Sequence, residues 1–533
     1  MIFRVILTLL ITIAAAWGQA TPDAAKPASS PASTADTAGA GSLASAQALM
    51  KKGQYEEAAN AFRAIVRNDP SAAEAQIGLV RSLMRSHEID EAEASAKSAI
   101  AAIPSSAPLH AVAGDVAFRL GKFDEAQTEY RAALKVDANS ARAWFGLGRM
   151  YDAFSMHKSA KNAFTKAHTF DPSDEQIASY WVDTLPYSEQ LELTKKSAGE
   201  HPKPREAERI KYLTEITQKK PWVLIGGVRP AEIKMVKYGK SFRGTYDANR
   251  DPNSQVAKGY ALSVKFNDRA SADLLLDTGA SGIIIGNKLA ERAGAVKISD
   301  TYIYGFGDQG VVRSYEAWVD KINIGGLEFH DCIVTVSSKN DVNDESGLIG
   351  TDVFQRFLIT LDFANWKLLL SPLPKNPNAT GSEDDPQDRY VAPEMQGFTK
   401  FYRFGHDIAL PVVVSDKAIG NFILDTGAFA NNISIKLASR VTKASADDDF
   451  RITGVSGKVS ANSVLTAKKV ILQFAKMRVE SHDLPAMSLD AASRETEISG
   501  FIGIRTLTQM KMTIDYRDGL INLEVYEFKK AYE

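Results

Sequence analysis

Apolar positions in the first third of the chain follow helical spacing inside a longer period of 34 residues. Ala58, Ala92, Ala126 and Ala160 lie one period apart, as do Phe62, Ala96, Tyr130 and Phe164. Pro70, Pro104 and Pro172 keep the same phase, with Ala138 in the missing place. The stretches KKGQYEEAANAF and RLGKFDEAQTEY show one unit: a Gly turn, an aromatic, a small residue, then a second aromatic. The pattern predicts stacked antiparallel helix pairs. Small Ala lets the helices approach, large side chains fill the gap between units, and Pro marks the exit to the next unit. Four units run over about 39–174, and SDEQIASYWVDTL predicts a helix that caps the open end. The array with its cap is placed at 43–198, and a charged, partly helical connector at 199–254.

From Trp222 the texture changes to short Val-, Ile- and Phe-rich runs between Gly, Asn and Asp turns, which predicts strands. The strands come in two similar series. YALSVKFNDRASADLLLDTGAS reads as strand, turn at Asn267 to Arg269, strand and acidic turn, and IALPVVVSDKAIGNFILDTGAF reads the same way. Nine residues separate Asp268 from Asp277, and nine separate Asp416 from Asp425. A Gly-rich tip follows each acidic turn, YGFGDQG in the first series and TGVSG in the second. Then come SGLIGTDVFQRFLITLDFANWKLLL and SGFIGIRTLTQMKMTIDYRDGLINL, with twelve residues from Gly350 to Asp362 and from Gly503 to Asp515. Four landmarks in one order predict a duplicated all-β lobe, at 255–373 and 399–533, joined by a linker at 374–398.

The helical period and its residues resemble the tetratricopeptide repeat. That resemblance implies a protein or peptide partner on the concave face. Lys51, Arg85 and Arg119 share one repeat position. They form either a basic stripe on that face or cations placed at helix ends, where the helix dipole favours them. The paired LLLDTGAS and FILDTGAF, each with its later hydrophobic-hydrophobic-Gly element, resemble the retropepsin-like aspartic protease family. The expected fold is thus an all-α tetratricopeptide-repeat solenoid followed by two all-β retropepsin-like lobes.

That second resemblance implies a catalytic pair, Asp277 and Asp425, one from each lobe. Two carboxylates a few Å apart cannot both ionise, so they share a proton. The ionised one accepts a proton from water and the protonated one donates to the substrate carbonyl. Thr278 and Thr426 would brace the lobes by hydrogen bonds. Gly279 and Gly427 would let the backbones pass closely. Leu348 to Gly350 and Phe501 to Gly503 would support the acidic turns. Tyr304, Gly305, Phe306, Gly307, Gly454 and Val455 would belong to flaps over the substrate. Ser281 would donate to the outer oxygen of the catalytic carboxylate. Phe429 stands in that place in the second copy and cannot donate, so Asp425 would be less well oriented and burial would raise its pKa.

GFGDQGVV at 305–312 also fits the spacing of a Gly-rich phosphate loop, but VVRSYEAWVDKINI after it reads as strand where a dinucleotide site needs a helix. No motif in the sequence implies a metal or cofactor, and G-x-S-x-G is absent. A net charge of −2 over 533 residues points to neither nucleic acid nor an anionic surface. Arg4 followed by the apolar run Val5 to Ala16, with small residues at Gly18 and Ala20, has the layout of a secretory signal peptide at 1–20. The Ala-, Pro-, Ser- and Thr-rich stretch 21–42 reads as a tether too poor in large apolar residues to fold. Cys332 is the one cysteine, in an apolar alternation, and reads as a buried small hydrophobe.

These readings combine into an exported aspartic endopeptidase whose repeats recruit polypeptide substrate or partners. Two alternatives stand beside it: a non-catalytic peptide-binding scaffold with a degenerate second lobe, and a first lobe that acts only by pairing between chains.

Overall fold

The computed structural model describes residues 42–238, 259–304, 311–337, 347–379, 385–446, 452–454, 457–459, 464–489 and 495–526. These form two compact units, one of residues 42–152 with 158–184, the other of 153–157 with 185–526.

The first unit is a stack of helix pairs. Leu43–Lys51 pairs with Tyr55–Asn68 and Ala73–Arg85 with Ile89–Ala102; Ala107–Arg119 pairs with Phe123–Val136 and Ala141–Ala153 with His157–Phe170. The periodic positions are the core: Ala58, Ala92, Ala126, Ala160, Phe62, Ala96, Tyr130 and Phe164 are all buried. Two glycines explain how the aromatics fit. A Cβ at Gly114 would stand 2.6 Å from the Tyr130 ring, and one at Gly148 would stand 2.6 Å from Phe164. Each aromatic therefore lies on a bare stretch of helix backbone. Burying one such ring contributes about 2–3 kcal/mol. Helix Glu175–Asp183 closes the stack: Asp174 caps it by accepting from the Gln176 and Ile177 amides, and Tyr180 meets Phe145 edge-on at 5.0 Å.

The second unit holds three main sheets. In the first lobe, Gly259–Phe266 and Ala270–Asp277 form a hairpin, with Ala261 opposite Leu275. In the second, Asp407–Val414 and Ala418–Asp425 repeat it, with Ala409 opposite Ile423. Both hairpins turn through two left-handed residues, Asn267 and Asp268 in one and Ser415 and Asp416 in the other. That twist suits a tight antiparallel turn. Each acidic strand then pairs in parallel with the later Gly element, setting Asp277 beside Gly350 and Asp425 beside Gly503.

The lobes share the third sheet, in the order Thr399–Lys400, Leu520–Val525, Met510–Asp515, Phe357–Asp362, Lys367–Pro372, Ala231–Lys234. Its centre is the pairing of Ile359 with Ile514 and Thr360 with Thr513, one residue from each lobe. One hydrophobic core runs through both lobes, from Trp222 to Leu523.

The segment read as the end of the array and a connector needs correcting. Helices Tyr187–Ala198 and Pro204–Gln218 belong to the β unit. Leu191, Tyr212, Leu213 and Ile216 pack on Ile298, Trp318 and Ile333, covering apolar residues on the outer side of the first lobe's sheet. Val223–Leu224, Ala231–Lys234 and Val236–Tyr238 then add strands to the sheets. Residues 185–238 are therefore part of the β unit rather than array or spacer.

Candidate active site

Each acidic turn follows a buried strand whose inward residues, Leu274 and Leu276 in one lobe and Phe422 and Leu424 in the other, fix it against the core. The two turns meet. The Thr278 amide donates to Thr426 Oγ1 at 3.0 Å, and Thr278 Oγ1 donates to the Leu424 carbonyl at 2.6 Å. The reciprocal pair is present: the Thr426 amide donates to Thr278 Oγ1 at 3.0 Å, and Thr426 Oγ1 to the Leu276 carbonyl at 2.8 Å. Four hydrogen bonds thus cross between the lobes, and both threonines are buried.

The glycines make this approach possible. A Cβ at Gly279 would lie 2.9 Å from the Asp425 carboxyl carbon, and one at Gly427 would lie 2.4 Å from Asp277 Oδ2. Any side chain there would displace the carboxyl opposite. Gly350 is equally confined, since its Cβ would meet the Ala280 carbonyl oxygen at 2.4 Å.

The Gly427 amide lies between Asp277 and Asp425 and donates to both carboxyls. Asp277 Oδ1 also accepts from the Gly279 amide at 2.8 Å and the Gly427 amide at 3.1 Å. Asp425 Oδ1 accepts from the Gly427 and Ala428 amides, both at 2.8 Å. Burial pushes the Asp277 carboxyl well above the ordinary range, and the neighbouring Asp425 charge pushes it further. Burial also raises Asp425, while the Ala428 and Gly427 amides and nearby His406 oppose it. Burial thus favours a proton that the two carboxyls hold between them.

Ser281 is not where the family pattern puts it. Its hydroxyl donates to Asp352 Oδ2 at 2.8 Å, and the same carboxylate accepts the Gly282 amide at 2.9 Å. The expected bond to the acidic pair is replaced by one that fixes the turn behind it. The corresponding residues of the second lobe are Phe429 and Arg505, the guanidinium lying 5.8 Å from the ring centroid. Phe429 is half-buried and packs on the shared core. The second copy is braced instead by Asn431 and Asn432, whose amide oxygens accept the Gly503 and Phe501 amides at 2.9 and 3.2 Å.

The sequence reading missed two residues. Asp352 was visible as a difference between copies, since Gly350 is followed by Thr-Asp and Gly503 by Ile-Arg. His406 gave no local signal. It sits with Gly405 in the two-residue turn between Tyr402–Phe404 and Asp407–Val414.

Of the flap residues, Gly305, Phe306, Gly307 and Val455 lie outside the described residues, and only the backbone of Tyr304 and Gly454 is described. The strands flanking the first tip pair antiparallel as far as Tyr304 and Val311, and Val311–Ile324 is a strand, which leaves no helix for a phosphate loop. In the helical unit, Lys51, Arg85 and Arg119 each occupy the last turn of the first helix of a pair, where a cation suits the dipole. Among the described residues no His, Cys, Asp or Glu cluster could hold a metal. Cys332 is buried.

A gag-polyprotein aspartyl protease family model matches residues 262–356, and a tetratricopeptide repeat model matches 43–107 and 112–173. No curated protein matches the chain. Among solved structures it is similar to the aspartic proteinase from Irpex lacteus, at 12% identity over 57% of this chain and 99% of that one, with a TM-score of 0.33. It is also similar to a thermophilic TPR protein of Thermus thermophilus, at 18% identity over 32% of this chain and 96% of that one, with a TM-score of 0.28. MamA is similar at 19% identity, over 33% of this chain and 95% of that one, with a TM-score of 0.23. The chain therefore carries an aspartyl protease domain of the gag-polyprotein type, preceded by a run of tetratricopeptide repeats.

Proposed function

We propose that this chain is an exported aspartic endopeptidase that uses Asp277 and Asp425 as one dyad in a cleft between its two lobes. The observation that carries the reading is a pair of carboxyls that accept from one amide, Gly427, between turns held by reciprocal Thr bonds and facing glycines. In this reading one proton resides on the pair. The ionised carboxylate removes a proton from water as its oxygen attacks the scissile carbonyl carbon, and the protonated carboxyl donates to the carbonyl oxygen. The tetrahedral diol then collapses: the protonated carboxyl donates to the leaving nitrogen, the C–N bond breaks, and the other carboxylate takes the proton of a diol hydroxyl as the new carbonyl forms, so the dyad again holds one proton.

The tetratricopeptide repeats would recruit a protein partner or substrate, and the apolar N-terminal run would direct export. Among the described residues no helix is long and apolar enough to cross a membrane. The alternative of pairing between chains draws no support from the site, because the carboxyl partner of Asp277 comes from the same chain. The scaffold alternative rested on Phe429, and its counterpart Ser281 does not touch the pair either.

The test is cleavage of an unfolded protein such as casein across pH, with Asp277→Asn and Asp425→Asn assayed separately. Loss of cleavage by at least about 10³-fold in both is expected. Turnover that survives either substitution would refute the dyad.

A further inference from the structure

His406 reaches the acidic pair from the second lobe. Its Nε2 lies 3.0 Å from the Gly279 carbonyl oxygen and 3.3 Å from Asp407 Oδ1. Both partners only accept, so Nε2 carries the hydrogen and donates to them. Gly279 belongs to the first lobe, and its amide holds Asp277 Oδ1 at 2.8 Å. One imidazole therefore ties the residue that orients Asp277 to the lobe that carries Asp425. The ring keeps 29% of its side-chain surface exposed. Its turn admits few alternatives: Gly405 takes φ +66°, and Arg403 Nε donates to the Gly405 carbonyl at 2.8 Å.

We propose that His406 is a positioning residue of the dyad: it fastens the first acidic turn, whose Gly279 amide orients Asp277, to the second lobe. This rests on the protease reading above and deepens it by naming a residue outside the pair that orients it. The His406 charge also favours ionised Asp425. The other charged and titratable groups around the ring are Asp407 on its own strand, Arg403 on the preceding strand, Asp352 and Tyr516 behind them, and the two acidic turns. Arg403 donates to the Tyr516 carbonyl at 3.2 Å and to Gln355 Oε1 at 3.3 Å.

The test compares the full chain with its His406→Ala and His406→Gln variants. Casein cleavage is measured across pH. The Asp carboxyl carbons are titrated by NMR on ¹³C-labelled protein, with the two signals assigned from Asp277→Asn and Asp425→Asn. His406→Ala is expected to lower kcat about five- to ten-fold with KM nearly unchanged, as for one lost orienting hydrogen bond. Its acidic limb and the Asp425 signal should both move to higher pH. His406→Gln keeps a donor near the Nε2 position without a charge, so it should recover most of the plateau rate but not the limb. An unmoved limb and Asp425 titration in His406→Ala would overturn the proposal, as would a loss confined to KM or melting temperature. If the wild-type chain does not cleave, the protease reading fails, while the carboxyl titration still decides what His406 does.

Discussion

Replacing Thr426 by Val tests whether the crossed threonine bonds hold the two lobes together. Val has nearly the same shape, so packing is conserved while the hydroxyl is lost. Two groups then lose their partners, the Thr278 amide and the Leu276 carbonyl. Thr278 and Thr426 are 0% and 1% exposed, so water does not replace the lost bonds without opening the contact. A buried polar group left unpaired costs about 1–3 kcal/mol, so the pair together costs about 2–6 kcal/mol. In a unit of this size each kcal/mol lowers the melting temperature by about 2 °C, which gives a drop of about 4–12 °C. Thr426→Ser keeps the hydroxyl and loses only a methyl, and should stay within about 1 kcal/mol of wild type. Thr278→Val should cost as much as Thr426→Val, because it strands the Thr426 amide and the Leu424 carbonyl, a separate set of groups. Scanning calorimetry measures all three, with casein cleavage as the second readout. Since the same bonds set the distance between the carboxyls, kcat should fall at least about ten-fold in the Val variants and hardly at all in Thr426→Ser. A Thr426→Val chain that melts within about 1 °C of wild type would refute the claim that these bonds hold the site.

Burial raises both members of the dyad above their ordinary value of 3.8, so the single-proton state, and with it the activity window, should lie above that pH. Cleavage should fall on the acid side as the pair gains a second proton and on the alkaline side as it loses its last; a maximum below pH 3.8 would contradict this. Ser281→Ala should leave cleavage within about three-fold of wild type, because the hydroxyl bonds to Asp352 rather than to Asp277; a hundred-fold loss would restore the family expectation. Glu316 is buried and accepts from Thr335 Oγ1 at 3.1 Å, and burial pushes its carboxyl from 4.5 to about 8. The folded state thus holds a proton that the unfolded chain releases, so Glu316 favours folding fully below pH 4.5 and loses that effect as pH rises through about 8. At about 1.36 kcal/mol per pH unit the loss is at most roughly 5 kcal/mol. Glu316→Gln should therefore melt higher than wild type at pH 8 and alike at pH 4.5; equal melting at both would refute it.

The features legible in the sequence are those that local physics repeats. The 34-residue period is legible because each unit needs the same small and large residues at the same contacts, Ala126 and Tyr130 in one and Ala160 and Phe164 in the next. The two hairpins are legible because a tight turn and an alternating strand constrain composition residue by residue. Pairings between distant segments leave no such trace. Nothing local to Ile359 specifies Ile514, and nothing in PREAERIKYLTEITQ marks Tyr212, Leu213 and Ile216 as a face for Trp318 and Ile333. That helix is charged on its other positions and reads as spacer until its sheet is present. His406 is the same kind of omission: its partner, Gly279, is 127 residues away and offers only a backbone oxygen.

The mismatch between LLLDTGAS and FILDTGAF also reads differently once the folded neighbours are known. Taken alone, Phe429 suggests a second lobe losing its chemistry. In the structure the exchange has two members. Where the first lobe has Ser281 bonded to Asp352, the second has Phe429 under Arg505. Loss of the serine alone would have removed one of the two hydrogen bonds that its acidic partner accepts. Here the partner has changed as well, and Asn431 and Asn432 brace the Gly503 strand instead. Meanwhile Thr426 and Gly427 keep their hydrogen bonds to the first lobe. The second lobe is packed differently behind its acidic turn and keeps the crossed threonine bonds in front of it, so Phe429 leaves the contacts between the lobes in place.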